Sequence, residues 1–401
     1  MKKFTKFVSL ALASVLVISS FAGCGSKEES TATNDSQDAA ETSESTGADT
    51  FKIGGIGPVT GGAAAYGTAV KNGIQLAVDE INAAGGINGK QIEYKFEDDE
   101  HNAEKAVNAY NTLKDWGMQL LIGTVTSAPC TAVVEKTKED NMFQLTPSAT
   151  AVESIQYDNA FRICFSDPNQ GTESAKYIGE NGLAEKIAVI YDSSDVYSSG
   201  IYANFAAEAE NQPFEIVAAE AFTADSKTDF TVQLQKAKDA NADMIFLPIY
   251  YQEASLILTQ ADKMGYKPSF FGCDGLDGIL GVENFDAALA EGAMLLTPFT
   301  AGAEDDATQA FVTAYEEAFG ETPIQFAADA YDCVYAIKAA IESANVTPDM
   351  SVSDICDALK TAMTEITMDG LTGSGITWSA DGEPSKEAKA VVIENGEYKV
   401  M

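Results

Sequence analysis

From Phe51 onward, runs of apolar, β-favouring residues alternate with amphipathic stretches at helical spacing, and this rhythm confines the chain to one class of fold. Phe51–Ile56 reads as a strand, and Tyr66–Ala84 carries Ala69, Ile74, Ala77, Val78 and Ile81 on one helical face before stopping at Gly85-Gly86. Gln91–Phe96 alternates Ile92, Tyr94 and Phe96 as a strand. Asn102–Trp116 is helical, Met118–Ile122 extended, Ser127–Asp140 helical and Met142–Thr146 extended. The pattern then restarts. Strands are predicted at Lys186–Tyr191, Phe214–Ala221, Met244–Leu247 and Ser269–Cys273, with helices at Ser198–Glu210, Thr228–Ala240 and Gln252–Met264. Beyond Thr297-Pro298 come helices at Asp306–Phe319, Ala327–Ala344 and Ser351–Met363, then short β segments closing on the Asn395-Gly396 hairpin signal. Strand-helix-strand succession implies parallel sheets covered by helices on both faces, and two successions imply two α/β lobes. The late helices must pack on lobes already formed, so the chain crosses between lobes more than once.

The first 24 residues belong to a different logic. Lys2, Lys3 and Lys6 precede an apolar run of 17 residues from Phe7 to Gly23, ending at Ala22-Gly23-Cys24. The run contains Ser9, Ser14, Ser19 and Ser20 and falls short of the ~20 apolar residues of a spanning helix. Residues 1–23 are therefore expected to be an export signal. The Ala-Gly-Cys junction resembles the lipobox of bacterial lipoproteins, with Phe21 where that motif usually has Leu. The resemblance implies lipidation of Cys24; plain secretion with an incidental cysteine is the other reading. Residues 25–50 hold seven acidic residues, one Lys and no aromatic or branched aliphatic side chain, so 24–50 is expected to be a disordered tether with a reach of about 28 Å.

The remaining body is long enough for two cores, because single cores stop growing near ~250–300 residues. Formal charge is −36, and loss of Lys2, Lys3 and Lys6 takes it to −39, which makes nucleic acid and anionic lipid surfaces poor partners. Five cysteines follow Cys24: Cys130, Cys164, Cys273, Cys333 and Cys356. None has metal-ligand spacing, and an odd number in an exported chain leaves at least one thiol unpaired within a molecule. Cys333 and Cys356, on adjacent predicted helices, could form a disulfide.

In sheets of this kind ligands sit beyond the carboxyl ends of the strands. Gly123-Thr-Val-Thr-Ser-Ala-Pro129 joins a strand to a helix there, and Thr126 or Ser127 is a natural N-cap; hydroxyls and free amides at a helix start also make a carboxylate seat. Thr146-Pro-Ser-Ala-Thr150 follows the next strand with two more hydroxyls. In the second lobe, Asp274 lies just past a strand end among glycines, where it serves either as an Asx turn or as an acid facing an ammonium group. Tyr66, Tyr197 and Tyr250 fall on predicted cleft loops, as packing or as contact residues. Together these groups describe a zwitterion site. Catalytic readings find little support: His101 is the only histidine and is read as solvated surface, no Gly-x-Ser-x-Gly elbow occurs, and the glycine patterns at Gly55 and Gly86 fail the nucleotide fingerprints. No metal or cofactor is called for.

Ile56-Gly-Pro-Val-Thr-Gly61, Tyr66-Gly67, Ala77-Val-Asp-Glu-Ile-Asn82, Gly85-Gly-Ile-Asn-Gly89, Ile122-Gly123, Thr146-Pro-Ser-Ala-Thr150 and Asp192…Tyr197…Gly200 resemble the leucine/isoleucine/valine-binding proteins, extracytoplasmic receptors of ABC importers. The resemblance runs from about Phe51 to the C-terminus. It implies the type I periplasmic-binding-protein fold: two doubly wound parallel-sheet lobes, 51–168 with 298–376 and 169–297 with 377–401, joined by a three-crossover hinge. It implies a monomer that captures a branched-chain amino acid (leucine, isoleucine or valine) in a cleft between the lobes and delivers it to ABC permease subunits, held at the bacterial membrane through Cys24. By residue-wise carry-over, Ser127 and Thr150, with the backbone about Ala149, hold the α-carboxylate. The Ser148 carbonyl and the Thr150 hydroxyl help hold the α-ammonium against Asp274, and Tyr66, Tyr197, Tyr250 and Phe326 line the side-chain end. The branched-chain binders carry Glu where Asp274 stands and Ala where Ser148 stands, and the first-lobe disulfide of some relatives has no cysteines at Thr126 or in Asp98–His101. Receptors of this fold for amides, urea or aromatic acids, and sensor ectodomains without transport, are the alternative readings.

Overall fold

Each of the two sheets is built by the same local rule, namely that a short apolar strand ends in a loop that starts a helix. The computed structural model describes residues 50–401; the expected signal segment 1–23, the lipidation at Cys24 and the tether up to residue 49 lie outside the described residues. The first lobe opens with β1 (Thr50–Gly57), α1 (Ala64–Ala83), β2 (Gln91–Asp98), α2 (Ala103–Trp116), β3 (Leu120–Gly123), α3 (Ser127–Glu139), β4 (Gln144–Thr146) and β5 (Ala160–Arg162). The second contains α4 (Asp167–Glu180), β6 (Lys186–Asp192), α5 (Val196–Ala209), β7 (Glu215–Phe222), α6 (Thr231–Asp239), β8 (Met244–Leu247), α7 (Tyr251–Lys263), β9 (Ser269–Gly272) and β10 (Met294–Thr297). The chain then adds α8 (Asp306–Phe319), α9 (Gln325–Ala344), α10 (Val352–Met363) and the small ribbon β11 (Met368–Gly370) and β12 (Gly373–Ile376). It closes with β13 (Lys389–Glu394) and β14 (Glu397–Val400).

The first sheet has the order β2-β1-β3-β4-β5 and is parallel throughout. The second runs β14-β13-β10-β9-β8-β6-β7, with β13 and β14 antiparallel on its edge. Helices cover both faces because successive strand residues point to opposite sides. In β6, Ile187 and Val189 pack with Ala175, Ile178, Ile201 and Phe205 of α4 and α5. Ala188 and Ile190 pack instead in the cluster holding Leu234 of α6 and Ala254, Ile257 and Leu258 of α7. In the first lobe Phe51 and Ile53 share a cluster with α1 and α9, whereas Ile56 joins Ala106, Tyr110 and Leu113 of α2. This is the doubly wound arrangement that the alternation predicts.

The chain passes between the two sheets three times: after β5, after β10, and between β12 and β13. The Asn395-Gly396 turn has φ of 56° and 76°, both left-handed, as a two-residue hairpin requires. Strand β5, helix α4 and strand β10 lie outside the expected elements. β5 is only three residues long, and α4 begins with Ser166 capping the Asn169 amide ahead of a polar stretch with little helical signal. All five described cysteines are buried and unpaired, so the Cys333–Cys356 disulfide does not form. No described helix is long and apolar enough to cross a membrane.

Candidate functional site

Both sheets change direction beside their first strand, β1 between β2 and β3, and β6 between β7 and β8. The crevices at these switch points are where loops can receive a ligand, and the two crevices face one another across a narrow cavity of about 10 Å³. Its wall takes Tyr66, Val125, Thr126, Ser127, Ser148 and Phe326 from the first lobe and Tyr197, Tyr250, Asp274 and Gly275 from the second. Seven of the sequence-predicted residues thus border one space. Thr150 lies behind Ser127, with its Oγ1 at 3.4 Å from Ser127 Oγ. Ala149 is not on the wall; its amide donates to Thr146 Oγ1 at 2.9 Å.

The first-lobe face is built of neutral dipoles. Ser127 Oγ accepts from the amides of Thr150 (3.1 Å) and Ala151 (3.2 Å), so its own proton remains to be donated onward. Ser148 Oγ donates to the Val125 carbonyl at 2.7 Å and ties the two loops together. Behind them sits Arg162, the only arginine of the chain and fully buried at 0% exposure. Its guanidinium donates to the carbonyls of Ala149, Thr150 and Ala151, and its Nε lies 3.4 Å from Glu383. Drawing these carbonyls to one side leaves the Thr150 and Ala151 amides turned to Ser127. The last crossover clamps Arg162 in turn: the Gly382 carbonyl accepts from its amide, and Trp378 Nε1 donates to its carbonyl at 2.7 Å. Close by, Lys386 and Asp329 form an ion pair at 2.8 Å, with side chains 1% and 3% exposed, that pins the same crossover to α9.

The second-lobe face is acidic. Asp274 is 5% exposed, and burial pushes its carboxyl up to about 6 against the pull of neutral partners, Tyr197 and Gln170. Tyr197 OH donates to Asp274 Oδ1 at 2.7 Å and accepts from the Gly275 amide at 3.0 Å. A Cβ at Gly275 would stand 2.5 Å from that hydroxyl and 2.9 Å from the Ile249 carbonyl, so the position needs glycine. Asp167, at the start of α4, is also buried. Burial drives its carboxyl well above the usual range, the Thr150 hydroxyl opposes this, and the charge of Asp274 adds to it.

Aromatic rings join the faces. Tyr66, in the first turns of α1 rather than on a loop, donates to the Gly275 carbonyl and accepts from the Tyr251 amide at 3.1 Å. Its ring lies 4.4 Å from that of Phe326 and 5.5 Å from Tyr250, and Tyr250 stacks on Tyr197 at 4.8 Å. Tyr197 belongs to α5, and Tyr250 immediately precedes α7.

His101 departs from expectation. It is partly buried rather than solvated, its Nδ1 lies 2.9 Å from Thr126 Oγ1, and its ring meets Tyr250 edge-on at 5.5 Å. Thr126 occupies the N-cap position of α3 but makes no capping bond, because its hydroxyl is engaged by His101. Sequence reasoning passed over Arg162, Asp167 and His101. The available signal for two of them was rarity: a chain with one arginine and one histidine sets both at this site. Among the described residues no group of His, Cys, Asp and Glu is disposed to hold a metal ion.

Comparison with known proteins identifies the family and the fold. Residues 50–397 match the family model for periplasmic binding proteins, and the chain belongs to that family. It is 31% identical over 314 residues to the leucine-, isoleucine-, valine-, threonine- and alanine-binding protein of Pseudomonas aeruginosa, covering 78% of this chain and 83% of that one. It is 32% identical over 303 residues to Leu/Ile/Val-binding protein homolog 3 of Brucella melitensis, covering 74% and 80%. Among solved structures, the branched-chain amino acid transporter substrate-binding protein LivJ of Streptococcus pneumoniae, in complex with isoleucine, superimposes with a TM-score of 0.79 at 33% identity. That match covers 88% of this chain and 99% of that one. A solute-binding protein of R. palustris in complex with benzoate shares the fold, with a TM-score of 0.77 at 20% identity, 88% of this chain and 95% of that one.

Proposed function

We propose that this protein is the extracytoplasmic substrate-binding component of an ABC importer, lipid-anchored at Cys24, which captures a branched amino acid between its lobes and delivers it to a membrane permease. On this reading the lobes 51–168 with 298–376 and 169–297 with 377–401 close as units about the crossovers. The observation that carries the reading is the opposition of two unlike faces across one small cavity. Ser127, with a proton to give and two amides behind it, faces Asp274, a buried carboxylate whose partners are neutral. A zwitterion satisfies both at once: its carboxylate accepts from Ser127 and its ammonium neutralises Asp274. Ligand bonded to both lobes shifts the population toward the closed form. The aromatic wall of Tyr66, Tyr197, Tyr250 and Phe326 suits an aliphatic side chain. The names of the relatives support this choice of ligand class.

A thermal-shift screen of ligand-free protein against amino acids, urea, amides and benzoate tests the reading, since selective binding stabilises the folded state. Stabilisation by a branched amino acid is expected. Stabilisation only by a ligand lacking an α-ammonium would overturn the role of Asp274. Delivery is tested by uptake of the labelled amino acid, which deletion of the gene should abolish.

A further inference from the structure

We infer that His101, acting through the Thr126 hydroxyl, makes the cavity select a β-hydroxyl side chain, so that threonine is bound in preference to its isostere valine. This rests on the amino-acid reading above and names the ligand within that class. Four observations carry it. First, His101 Nδ1 and Thr126 Oγ1 are joined by a hydrogen bond at 2.9 Å. Second, the turn that carries His101 is held in an unfavourable conformation. Glu100 and His101 have φ of 50° and 55°, and their amides are tied down by Asp98 Oδ1 and Asp99 Oδ1, each at 2.9 Å. Two adjacent non-glycine residues in the left-handed region persist only where neighbours impose them, and the result is an imidazole set behind the cavity wall, bonded to Thr126 and edge-on to Tyr250.

Third, Thr126 borders the cavity and spends a single hydrogen-bonding role on His101. If Nδ1 accepts, the threonine oxygen is left as an acceptor; if Nδ1 donates, the hydroxyl proton is left to give. A ligand hydroxyl can complement either, whereas a methyl group complements neither and buries the unused role. Fourth, the remaining wall at this end, Val125, Tyr66 and Phe326, is apolar and suits the methyl group that threonine shares with valine. Tyr66 is bonded to the second lobe through Gly275 and Tyr251, which holds the space to a short side chain. Burial also keeps the imidazole neutral at pH 7, its pKa lowered to about 4. His101 is thus a positioning residue for specificity.

The test is calorimetric titration of the full chain, freed of bound ligand, with L-threonine, L-valine, L-leucine and L-alanine. The wild type is expected to bind threonine about tenfold or more tightly than valine, as sites built around a substrate hydroxyl do. Thr126→Val and His101→Ala should each collapse the threonine-to-valine ratio toward one. His101→Asn, which tolerates the left-handed turn and offers a polar atom near the Nδ1 position, should keep it. Valine or leucine binding as tightly as threonine to the wild type would overturn this inference and leave the zwitterion reading intact. So would an unchanged ratio in Thr126→Val, a variant that leaves the strained turn untouched. Failure of all four amino acids to bind would overturn both.

Discussion

The two walls of the cavity solve opposite electrostatic problems. On the first-lobe side, Ser127 and the amides of Thr150 and Ala151 are already hydrogen-bonded to one another, carry no charge, and are braced by Arg162. On the second-lobe side, Asp274 and Asp167 are buried carboxylates raised above the usual range by desolvation. The neutral wall is stable whether or not a ligand is present. The acidic wall is costly while its carboxylates are charged and unpaired, and on the proposed reading an ammonium group relieves that cost, so binding energy would be concentrated where the empty protein is least comfortable. Mutations on the two sides should therefore change affinity in the same direction and stability in opposite directions.

The largest expected effect follows from Asp274→Asn, which keeps shape and removes the charge. Amino-acid affinity should fall about 100-fold or more, as for loss of one partner of a buried charged contact, while the ligand-free melting temperature holds or rises. A fall in both would place Asp274 with the structural capping residues. Ser127→Ala should weaken binding about tenfold to 100-fold, as a bond to a charged group is worth ~1.5–3 kcal/mol. Because the Thr150 and Ala151 amides then lose their acceptor, the ligand-free protein should also be less stable by about 1–3 kcal/mol. Calorimetric titration and denaturant melts of each variant measure both quantities.

Acidity separates the walls without mutation. Asp274 and Asp277 are raised to about 6, Asp195 to about 6 and Asp99 to about 7, all chiefly by burial, above the ~3.9 of an unfolded Asp. Between about pH 4 and 6–7 the folded state binds more protons than the unfolded one. These groups therefore favour the fold fully at low pH, and that contribution is lost as pH rises through their folded values. His101, lowered to about 4 by burial and by Lys227, acts in the other sense: its contribution is lost as pH falls from ~6.5 toward 4. Four acids outweigh one imidazole, so ligand-free protein should melt higher at pH 5 than at pH 7.5. Affinity should do the reverse, dropping up to about tenfold per unit below pH 6 as Asp274 takes up a proton. Parallel trends would show that Asp274 does not face the ammonium. The smallest effect is expected for Glu383→Gln: its carboxylate is 40% exposed and 3.4 Å from Arg162. Gln keeps a carbonyl oxygen to accept from Nε, and the guanidinium keeps its carbonyl partners at Ala149, Thr150 and Ala151, so affinity should stay within about twofold.

Several of these residues were legible before the structure and several were not. Helix α8 and strand β8 fall at their expected limits, and most other helices within three residues, because periodicity and end signals are local. The loops bearing Ser127, Ser148 and Asp274, which border one cavity, could be found because a βα rhythm sets such loops at the strands' carboxyl ends. Arg162, by contrast, sits at the end of a three-residue strand and reads as an ordinary surface cation until Trp378 and Gly382 close over it. His101, flanked by acids, reads as solvated for the same reason; its partners Thr126 and Tyr250 are 25 and 149 residues away.

What the sequence by itself determined is therefore the part governed by nearest neighbours along the chain: two doubly wound sheets, their loops, and the hydroxyls and acid those loops carry. Tertiary structure alone decided the meeting of segments remote in sequence: the bracing of the Thr150 loop by a buried arginine, the hydrogen bond between His101 and Thr126, and the opposition of a neutral wall to an acidic one. The physical reason is that periodicity encodes which face of an element is buried, whereas the partner buried against that face depends on how three crossovers bring the lobes together.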